Sequence, residues 1–231
     1  MSEPKPAGFL KRSSAWTLDA LPLSLLAVAA TSPWLPDRAR AVVTALHDWN
    51  TVIANHMVAA IHRGDTPLQL ALDLMQAPGV AHAGEVFGAS VLAFFWPFLA
   101  AFALCSLLYH AVFEASPWRG SPGKRLLGLD VTDRDGGRIA LPRALLRNAA
   151  GALSWLTLNL GHALAALPPD KRALHDYCAA TRVSMAPGRH FPAWAWWWLA
   201  SVLLATLAVC VLAATWWQHA LDLAMQNAFG W

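Results

Sequence analysis

Three stretches of this sequence are long and apolar enough to cross a lipid bilayer, and they constrain the fold more than any other feature. They run from Ala15 to Leu35, from Glu85 or Val86 to Phe113, and from Trp194 to Trp217. A spanning helix needs about 20 consecutive apolar residues. In the third stretch, tryptophans at both ends lie about 30 Å apart at helical rise, as expected for rings at two membrane interfaces. The chain is therefore predicted to be an integral membrane protein.

Composition supports this class and excludes others. Of 231 residues, 57% are hydrophobic and only 13% are charged, a balance typical of membrane proteins. The basic residues flank apolar segments instead of forming an isolated soluble patch, so no nucleic-acid partner is expected. Cys105 and Cys210 lie inside apolar runs and the cysteine count is odd, so no disulfide framework is predicted.

The charges before the first stretch predict its orientation. They are Lys5, Lys11 and Arg12. By the positive-inside rule, residues 1–13 are a cytoplasmic amino terminus. A cleaved signal peptide is the alternative, because Ala27–Ala29 resembles a cleavage motif. Asp19 within the run and the spans downstream argue against cleavage. Pro33 and Pro36 are expected to end the span.

The segment between the first two spans predicts two short helices. Apolar residues recur at helical spacing at Val42, Leu46, Trp49, Ile53, Met57 and Ile61. This pattern indicates an amphipathic helix lying on the outer membrane surface or over the bundle. Thr66 and Gln69 form a capping box with Pro67 at the first helical position, so another helix is expected from there to Pro78.

Residues 118–183 are the part of the chain richest in charge. Asp133–Gly137 predicts a tight turn in a β-hairpin with strands at Gly128–Thr132 and Arg138–Leu141, and Thr181–Ser184 offers a third strand. Five basic residues are expected to face lipid phosphates. They are Lys124, Arg125, Arg138, Arg143 and Arg147.

The segment from Arg147 to Leu167 is apolar enough to cross but is interrupted at Asn159–His162. A crossing would place four downstream basic residues outside. They are Lys171, Arg172, Arg182 and Arg189. A re-entrant pair of short helices keeps them inside, so re-entry is predicted, with a fourth span as the alternative. Re-entry would place the carboxyl-terminal tail outside, with a short amphipathic helix from Gln218 to Trp231.

Three motifs in this order resemble the RDD family of bacterial integral membrane proteins, which is named for one arginine and two aspartates. Arg12 and Asp19 match the first motif on an R-x-x-A-x-x-x-D spacing. Gly123–Asn148 carries the second, and Arg172–Val183 carries the third, in which Asp176 matches the second aspartate. The resemblance is loose over residues 8–113 and close over 114–185. Pro36–Ala83 and the tail after Pro187 are additions to the family pattern.

The spans and the resemblance together define the expected architecture. It is an all-α integral membrane protein of the bacterial inner membrane, with three full transmembrane helices plus one broken, re-entrant or fourth spanning segment, and a small cytoplasmic β-hairpin. Residues 14–185 form the RDD membrane domain, with an extracytoplasmic insertion at 37–83. Residues 186–231 add a carboxyl-terminal transmembrane helix and its tail.

Five residues are candidate ion or proton sites: Asp19, Asp176, His162, His110 and Glu114. An ionised carboxylate in a span is costly without a partner, so Asp19 is either a proton or cation ligand or one half of a structural ion pair. Its expected partners are Arg12, Lys124 or Arg147. Asp176 has the same two interpretations. His110 and Glu114 lie one turn apart, so they either bridge each other, relay protons or simply mark a helix interface. His162, in the broken segment, either is a buried ion or proton site or satisfies freed backbone carbonyls.

Six residues are candidates for charge pairs or lipid-phosphate contacts: Arg12, Lys124, Arg125, Arg143, Arg147 and Arg182.

The sequence does not complete any of three motifs for phosphate, calcium or zinc binding. A phosphate loop needs glycine in place of Trp118 and Ser or Thr in place of Arg125. A calcium loop starting at Asp133 would close on Ala144, which cannot ligate. The histidines show no zinc-site spacing. We expect no enzyme activity, metal or cofactor.

Two function classes follow. The resemblance implies transport, which is suspected for the family, with sodium/proton antiport proposed for a member. Monovalent cation/proton exchange would use Asp19 and Asp176 as carriers, tuned by Arg12 or Arg147, and three spans would require a homo-oligomer. No inverted repeat, the usual sign of a transporter, is visible. The alternative is a non-catalytic scaffold or accessory subunit that docks a membrane partner protein and anionic phospholipid head groups through its basic cytoplasmic face.

Overall fold

The computed structural model describes residues 5–156, 160–167, 171–185 and 188–229. Within these residues, three helical segments are long and apolar enough to span a membrane: Phe9–Arg63, Pro78–Ala115 and Trp194–Phe229. The first comprises helix α1 (Phe9–Thr31), a 3-10 turn (Ser32–Trp34) and helix α2 (Leu35–Arg63). The other two are α4 and α9. The predicted class, an all-α membrane protein with three long spans and a small β element, is confirmed.

The first helix ends where its prolines predicted, and the expected second helix follows it. Helix α1 stops at Thr31, next to Pro33 and Pro36, and after a single 3-10 turn α2 covers the predicted amphipathic stretch and continues to Arg63. Both prolines stand at the first positions of a helical element, where no amide donor is needed and a fixed φ suits the helix. Helix α2 ends before Gly64, which has a left-handed φ of 73° and closes the helix as a typical carboxyl-terminal cap.

The second short helix begins as predicted. Helix α3 spans Pro67–Gln76. The Thr66 hydroxyl accepts from the Gln69 amide at 3.3 Å, and the Gln69 side-chain oxygen accepts from the Thr66 amide at 2.7 Å. This reciprocal pair is the capping box, and it satisfies two donors that a helix start otherwise leaves free. Helix α4 follows at once, over Pro78–Ala115.

A three-stranded antiparallel sheet has the strand order β1-β3-β2, from β1 (Lys5–Pro6), β2 (Leu129–Asp133) and β3 (Thr181–Met185). The prediction of a strand over Arg138–Leu141 is wrong: residues 138–140 form no strand, and Leu141 begins helix α6. The Asp133–Gly137 turn forms, with the Asp133 carboxylate accepting from the Gly137 amide at 2.6 Å. The third strand that the sequence predicted at Thr181–Ser184 is β3. It is the central strand, because it pairs with β1 on one side and with β2 on the other.

The rest of the fold consists of short helices and the last span. They are α5 (Pro122–Leu126), α6 (Leu141–Leu156), α7 (Leu160–Ala163), α8 (Leu174–Cys178) and α9 (Trp194–Phe229). The apolar segment is divided into α6 and α7, and Asn159 of the predicted break lies outside the described residues. A separate tail helix from Gln218 is not observed, since α9 continues through that residue to Phe229.

The chain divides into two compact units, residues 1–29 with 100–203 (unit 1) and residues 30–99 with 204–231 (unit 2). Unit 1 has a core of buried apolar residues that includes Leu127, Leu129, Val131, Ile139 and Val183. Unit 2 contains an aromatic cluster in which Trp49, Phe87 and Trp217 lie 5.3–5.5 Å apart by ring centroids. All residues of the three sequence motifs lie in unit 1.

Candidate functional site: a buried charge network

Arg147 is the centre of a network of buried charges in unit 1. Its side chain, on α6, is 3% exposed. It donates to both carboxylate oxygens of Glu114 on α4, at 2.6 and 2.7 Å, and to the Asp176 carboxylate on α8 at 3.1 Å. A guanidinium has five donors in a fixed plane, so it can bind two carboxylates at once. Arg147 thereby fixes α4, α6 and α8 relative to one another.

Glu114 is fully buried, yet both of its oxygens are satisfied. Besides Arg147, the Lys124 ammonium donates to it at 2.5 Å and the Asn148 side-chain amide at 3.1 Å. Lys124 comes from α5 and is itself only 12% exposed. Two cations around one carboxylate offset the cost of removing its charge from water. Glu114 is thus a structural anion at the end of α4.

Asp176 is held by Arg12, the arginine of the first motif. Arg12 donates to one carboxylate oxygen, and the Ala173 amide donates to the same oxygen at 3.0 Å. Burial alone would raise the pKa of Asp176, but the Arg147 and Arg12 guanidinium groups outweigh it and hold that pKa below its usual range. Arg12 also donates to the carbonyl of Lys171 at 2.6 Å. Asp176 is therefore ionised and doubly paired.

Asp19 differs from the expectation. It is 2% exposed but forms no ion pair with any lysine or arginine among the described residues, so the predicted pairing with Arg12, Lys124 or Arg147 is wrong. Instead it accepts from the hydroxyls of Tyr109 at 3.0 Å and Ser121 at 2.5 Å, and from the Gly123 amide at 2.8 Å. Three neutral donors satisfy its oxygens in place of a cation.

Gly123 is what allows this contact. A Cβ at this position would lie 2.3 Å from the Ala15 carbonyl oxygen and 2.9 Å from the Asp19 carboxylate, far inside van der Waals contact. Only glycine lets the start of α5 approach α1 so closely. The second motif thus supplies a backbone donor, the Gly123 amide, to the aspartate of the first motif, Asp19.

The two candidate histidines have no hydrogen bond to a carboxylate in the described part of the chain. His110 is buried, and neither of its ring nitrogens has a hydrogen-bond partner among the described residues. The expected bridge to Glu114 is absent because Arg147 and Lys124 occupy that carboxylate. His162 stacks obliquely on His175, with ring centroids 5.0 Å apart.

His175 was not singled out from the sequence, although its place beside Asp176 was a signal. Its Nε2 lies 3.1 Å from the Arg147 guanidinium. Burial lowers the pKa of His175 well below its ordinary value, and Arg147 lowers it further. The ring is therefore neutral at physiological pH, and its Nε2 accepts from Arg147. Sequence reasoning also missed Tyr109, Ser121 and Asn148 as partners of the carboxylates.

The basic residues expected to face lipid fall into two groups. Arg147 is buried and Lys124 is largely buried, and both pair with buried carboxylates. Of their two predicted roles, the structure shows the charge pair. Arg125 is half exposed and pairs with Asp130 at 2.6 Å. Arg138, Arg143 and Arg182 are exposed. In the described part of the chain, no group of three or more His, Cys, Asp or Glu residues is arranged to hold a metal ion.

Comparison with known proteins gives one family. The RDD family model matches residues 6–180. The uncharacterized protein YxaI of Bacillus subtilis (strain 168) is 33% identical over 89 residues, which cover 38% of this chain and 58% of YxaI. The uncharacterized protein YckC of the same organism is 36% identical over 89 residues, covering 36% of this chain and 59% of YckC. The chain thus spans less than two thirds of either relative. No solved structure matches.

Proposed function

Because this chain belongs to the RDD family, a family of membrane proteins, we propose that it is a non-catalytic membrane scaffold or accessory subunit. Its buried charges hold the helices in register, and its exposed basic face docks anionic lipid and a partner protein. The observation that carries this proposal is the clamp of Arg147 on Glu114 and Asp176. We assign both carboxylates a structural role, in which they hold three helices together through Arg147.

The saturation of the carboxylates argues against a carrier role for them. A transporting carboxylate must exchange its proton or ion during the cycle. Asp176 accepts from Arg12, Arg147 and the Ala173 amide, and Glu114 accepts from Arg147 and Lys124. Releasing either would leave a buried guanidinium without its counter-charge, which is strongly unfavourable. A fixed ion-pair network instead suits registry, the best attested use of buried charge.

Charge distribution supports an orientation. Unit 1 carries 14 of the 17 Lys and Arg residues, whereas unit 2 carries three. Loops rich in Lys and Arg stay on the cytoplasmic side. We infer that the amino terminus and residues 116–193 are cytoplasmic, that residues 64–77 are extracytoplasmic, and that the membrane is the bacterial inner membrane.

Cysteine labelling tests this topology. In a background with the three native cysteines replaced by alanine, cysteines at Arg143 and Arg182, both exposed, should react with an impermeant thiol reagent only after the cells are permeabilised. A cysteine at the exposed Leu68 should react in intact cells. Labelling of Arg143 and Arg182 positions from outside would reverse the orientation.

Ion flux in proteoliposomes tests the scaffold function. The wild-type protein is expected to move neither sodium nor protons above protein-free liposomes, whatever gradient of pH or sodium is applied. Asp176→Asn should lower folded yield and leave the background flux unchanged, since it removes a counter-charge of Arg12 and Arg147. Sodium-coupled proton movement that Asp176→Asn abolishes in a folded, inserted protein would contradict the proposal.

Asp19 favours monovalent cation/proton exchange as a second candidate function. It is a buried carboxylate with no cation beside it in the described structure, and the hydroxyl oxygens of Tyr109 and Ser121 lie within hydrogen-bonding distance. Carboxylate and hydroxyl oxygens are ligands suited to hard cations. In the same flux assay this candidate predicts activity that Asp19→Asn removes and that Asp73→Asn, a change at a half-exposed carboxylate of unit 2, leaves intact.

A further inference from the structure

Four arginines surround the Asp133–Gly137 turn in unit 1: Arg119, Arg134, Arg138 and Arg182. All four are exposed, and none forms an ion pair with a carboxylate in the described part of the chain. The Asp133 carboxylate caps the turn instead of pairing with an arginine: it accepts from the amides of Asp135 and Gly137 at 3.0 and 2.6 Å. Even with Asp133 and Asp135 counted, the cluster has a formal charge of +2.

Two of these guanidinium groups converge on one point. Arg119 donates to the carbonyl of Gly136 at 3.4 Å. A guanidinium nitrogen of Arg182 lies 3.6 Å from the position that a Cβ on Gly136 would occupy. Arg182 is also the exposed residue of an otherwise buried strand. A single hydrogen bond leaves four of the five Arg119 donors available, so the pair can bind the oxygens of one phosphate group.

The backbone at Arg119 is a second and independent sign of function. Its φ is 54°, in the left-handed region, where a residue other than glycine or asparagine is strained. The strain is held by hydrogen bonds from the Arg119 amide to the Ser116 carbonyl at 3.1 Å and from the Val131 amide to the Arg119 carbonyl at 2.6 Å. Strained residues concentrate at ligand-binding positions. Here the left-handed backbone conformation accompanies an Arg119 side chain that reaches the carbonyl of Gly136.

The Asp133–Gly137 turn lies close to the end of a spanning helix, and this position indicates the class of ligand that the arginines bind. Helix α4 ends at Ala115, only four residues before Arg119. Trp118 lies between them, is 52% exposed, and contacts Phe113 of α4 with ring centroids 5.6 Å apart. An exposed tryptophan just past a spanning helix is typical of the membrane interface. The turn contacts Arg119 and therefore lies at the level of the lipid head groups.

We propose that Arg119 and Arg182, seated at Gly136, form a binding site for the phosphate of an anionic phospholipid. This inference rests on the proposed docking function and deepens it by assigning the lipid contact to particular residues. Arg134 and Arg138 add long-range attraction around the site. Arg143 and Arg125 are not part of it, since Arg143 lies on α6 and Arg125 is paired with Asp130.

The test uses the full chain purified in a neutral detergent and titrated with phosphatidylglycerol or phosphatidylcholine, with bound lipid counted by native mass spectrometry. The wild type should prefer phosphatidylglycerol. One basic residue near an anionic surface is worth about fivefold in affinity, so Arg119→Gly with Arg182→Gln should weaken phosphatidylglycerol binding by about 25-fold. Arg143→Gln, the matched control, should stay within about twofold of wild type.

Arg119→Gly separates lost binding from lost folding. Glycine adopts a φ of 54° without strain, so this single variant should unfold at the same temperature as wild type or higher while losing about fivefold in phosphatidylglycerol affinity. Unchanged affinity in Arg119→Gly and in the double variant would overturn the inference. Tighter binding of inorganic phosphate or of a polyglutamate peptide than of phosphatidylglycerol would also overturn it. Neither result would alter the flux measurement that tests the scaffold function.

Discussion

Replacing Arg147 with methionine is expected to lower the free energy of unfolding by about 3–5 kcal/mol, because the change leaves two buried carboxylates without their shared cation. Methionine keeps much of the side-chain volume, so the loss is electrostatic and not a cavity effect. Chemical unfolding in detergent, followed by far-UV circular dichroism, measures the effect. Arg143→Met is the matched control, one turn earlier on α6 and exposed; it should change stability by no more than about 0.5 kcal/mol.

A rescue experiment distinguishes ion pairing from packing. Adding Glu114→Gln and Asp176→Asn to Arg147→Met removes the charges that were left uncompensated, so a substantial part of the lost stability should return. Arg12 and Lys124 would each lose one counter-charge in that variant, which is why full recovery is not expected. If the triple variant is no more stable than Arg147→Met alone, the buried charges do not act as one network.

The second large effect is expected at Gly123. Gly123→Ala places a methyl group 2.3 Å from the Ala15 carbonyl oxygen, a backbone atom that cannot turn aside. Overpacking of this kind costs about 1–3 kcal/mol, and displacement of the Gly123 amide would remove a donor from Asp19 as well. Thermal unfolding in detergent is the measurement.

The control for this substitution is Gly88→Ala on α4. Nothing lies within 4 Å of a Cβ at Gly88, so alanine should be neutral or stabilising by up to about 1 kcal/mol through helix propensity. Equal losses at Gly88 and Gly123 would mean that the close approach of α5 to α1 is not the cause of the lost stability.

The helices were largely predictable because their signals are local. The capping box at Thr66 and Gln69 involves residues three apart, and the long spans depend on composition alone. The sheet was only partly predictable, since β2 pairs with β3 across about 50 intervening residues, and no local pattern favours this partner over Arg138–Leu141. The turn at Asp133–Gly137 was found because glycine and aspartate specify it locally.

The partners of the buried charged residues were also only partly predictable from the sequence. The motif spacing identified Arg12, Asp19 and Asp176 as important, but it did not assign partners among several cations and carboxylates. Asp19 is satisfied by neutral donors, Tyr109, Ser121 and the Gly123 amide, whose positions follow only from tertiary packing. Asp176 takes Arg12 from a position 164 residues away. Pairing in a buried network depends on geometry that residue type and spacing do not contain.

The ionisation state of Asp176 tests the central claim, that the buried carboxylates are fixed partners of arginine and not carriers. Infrared titration of the purified protein from about pH 5 to about pH 9, with Asp176→Asn assigning the carboxyl band, reads this state directly. Burial opposes the charge, but Arg147 and Arg12 hold the pKa of Asp176 below its usual range, so the account predicts an ionised carboxylate throughout. A protonated Asp176 band that appears near neutral pH and changes with sodium concentration would contradict it.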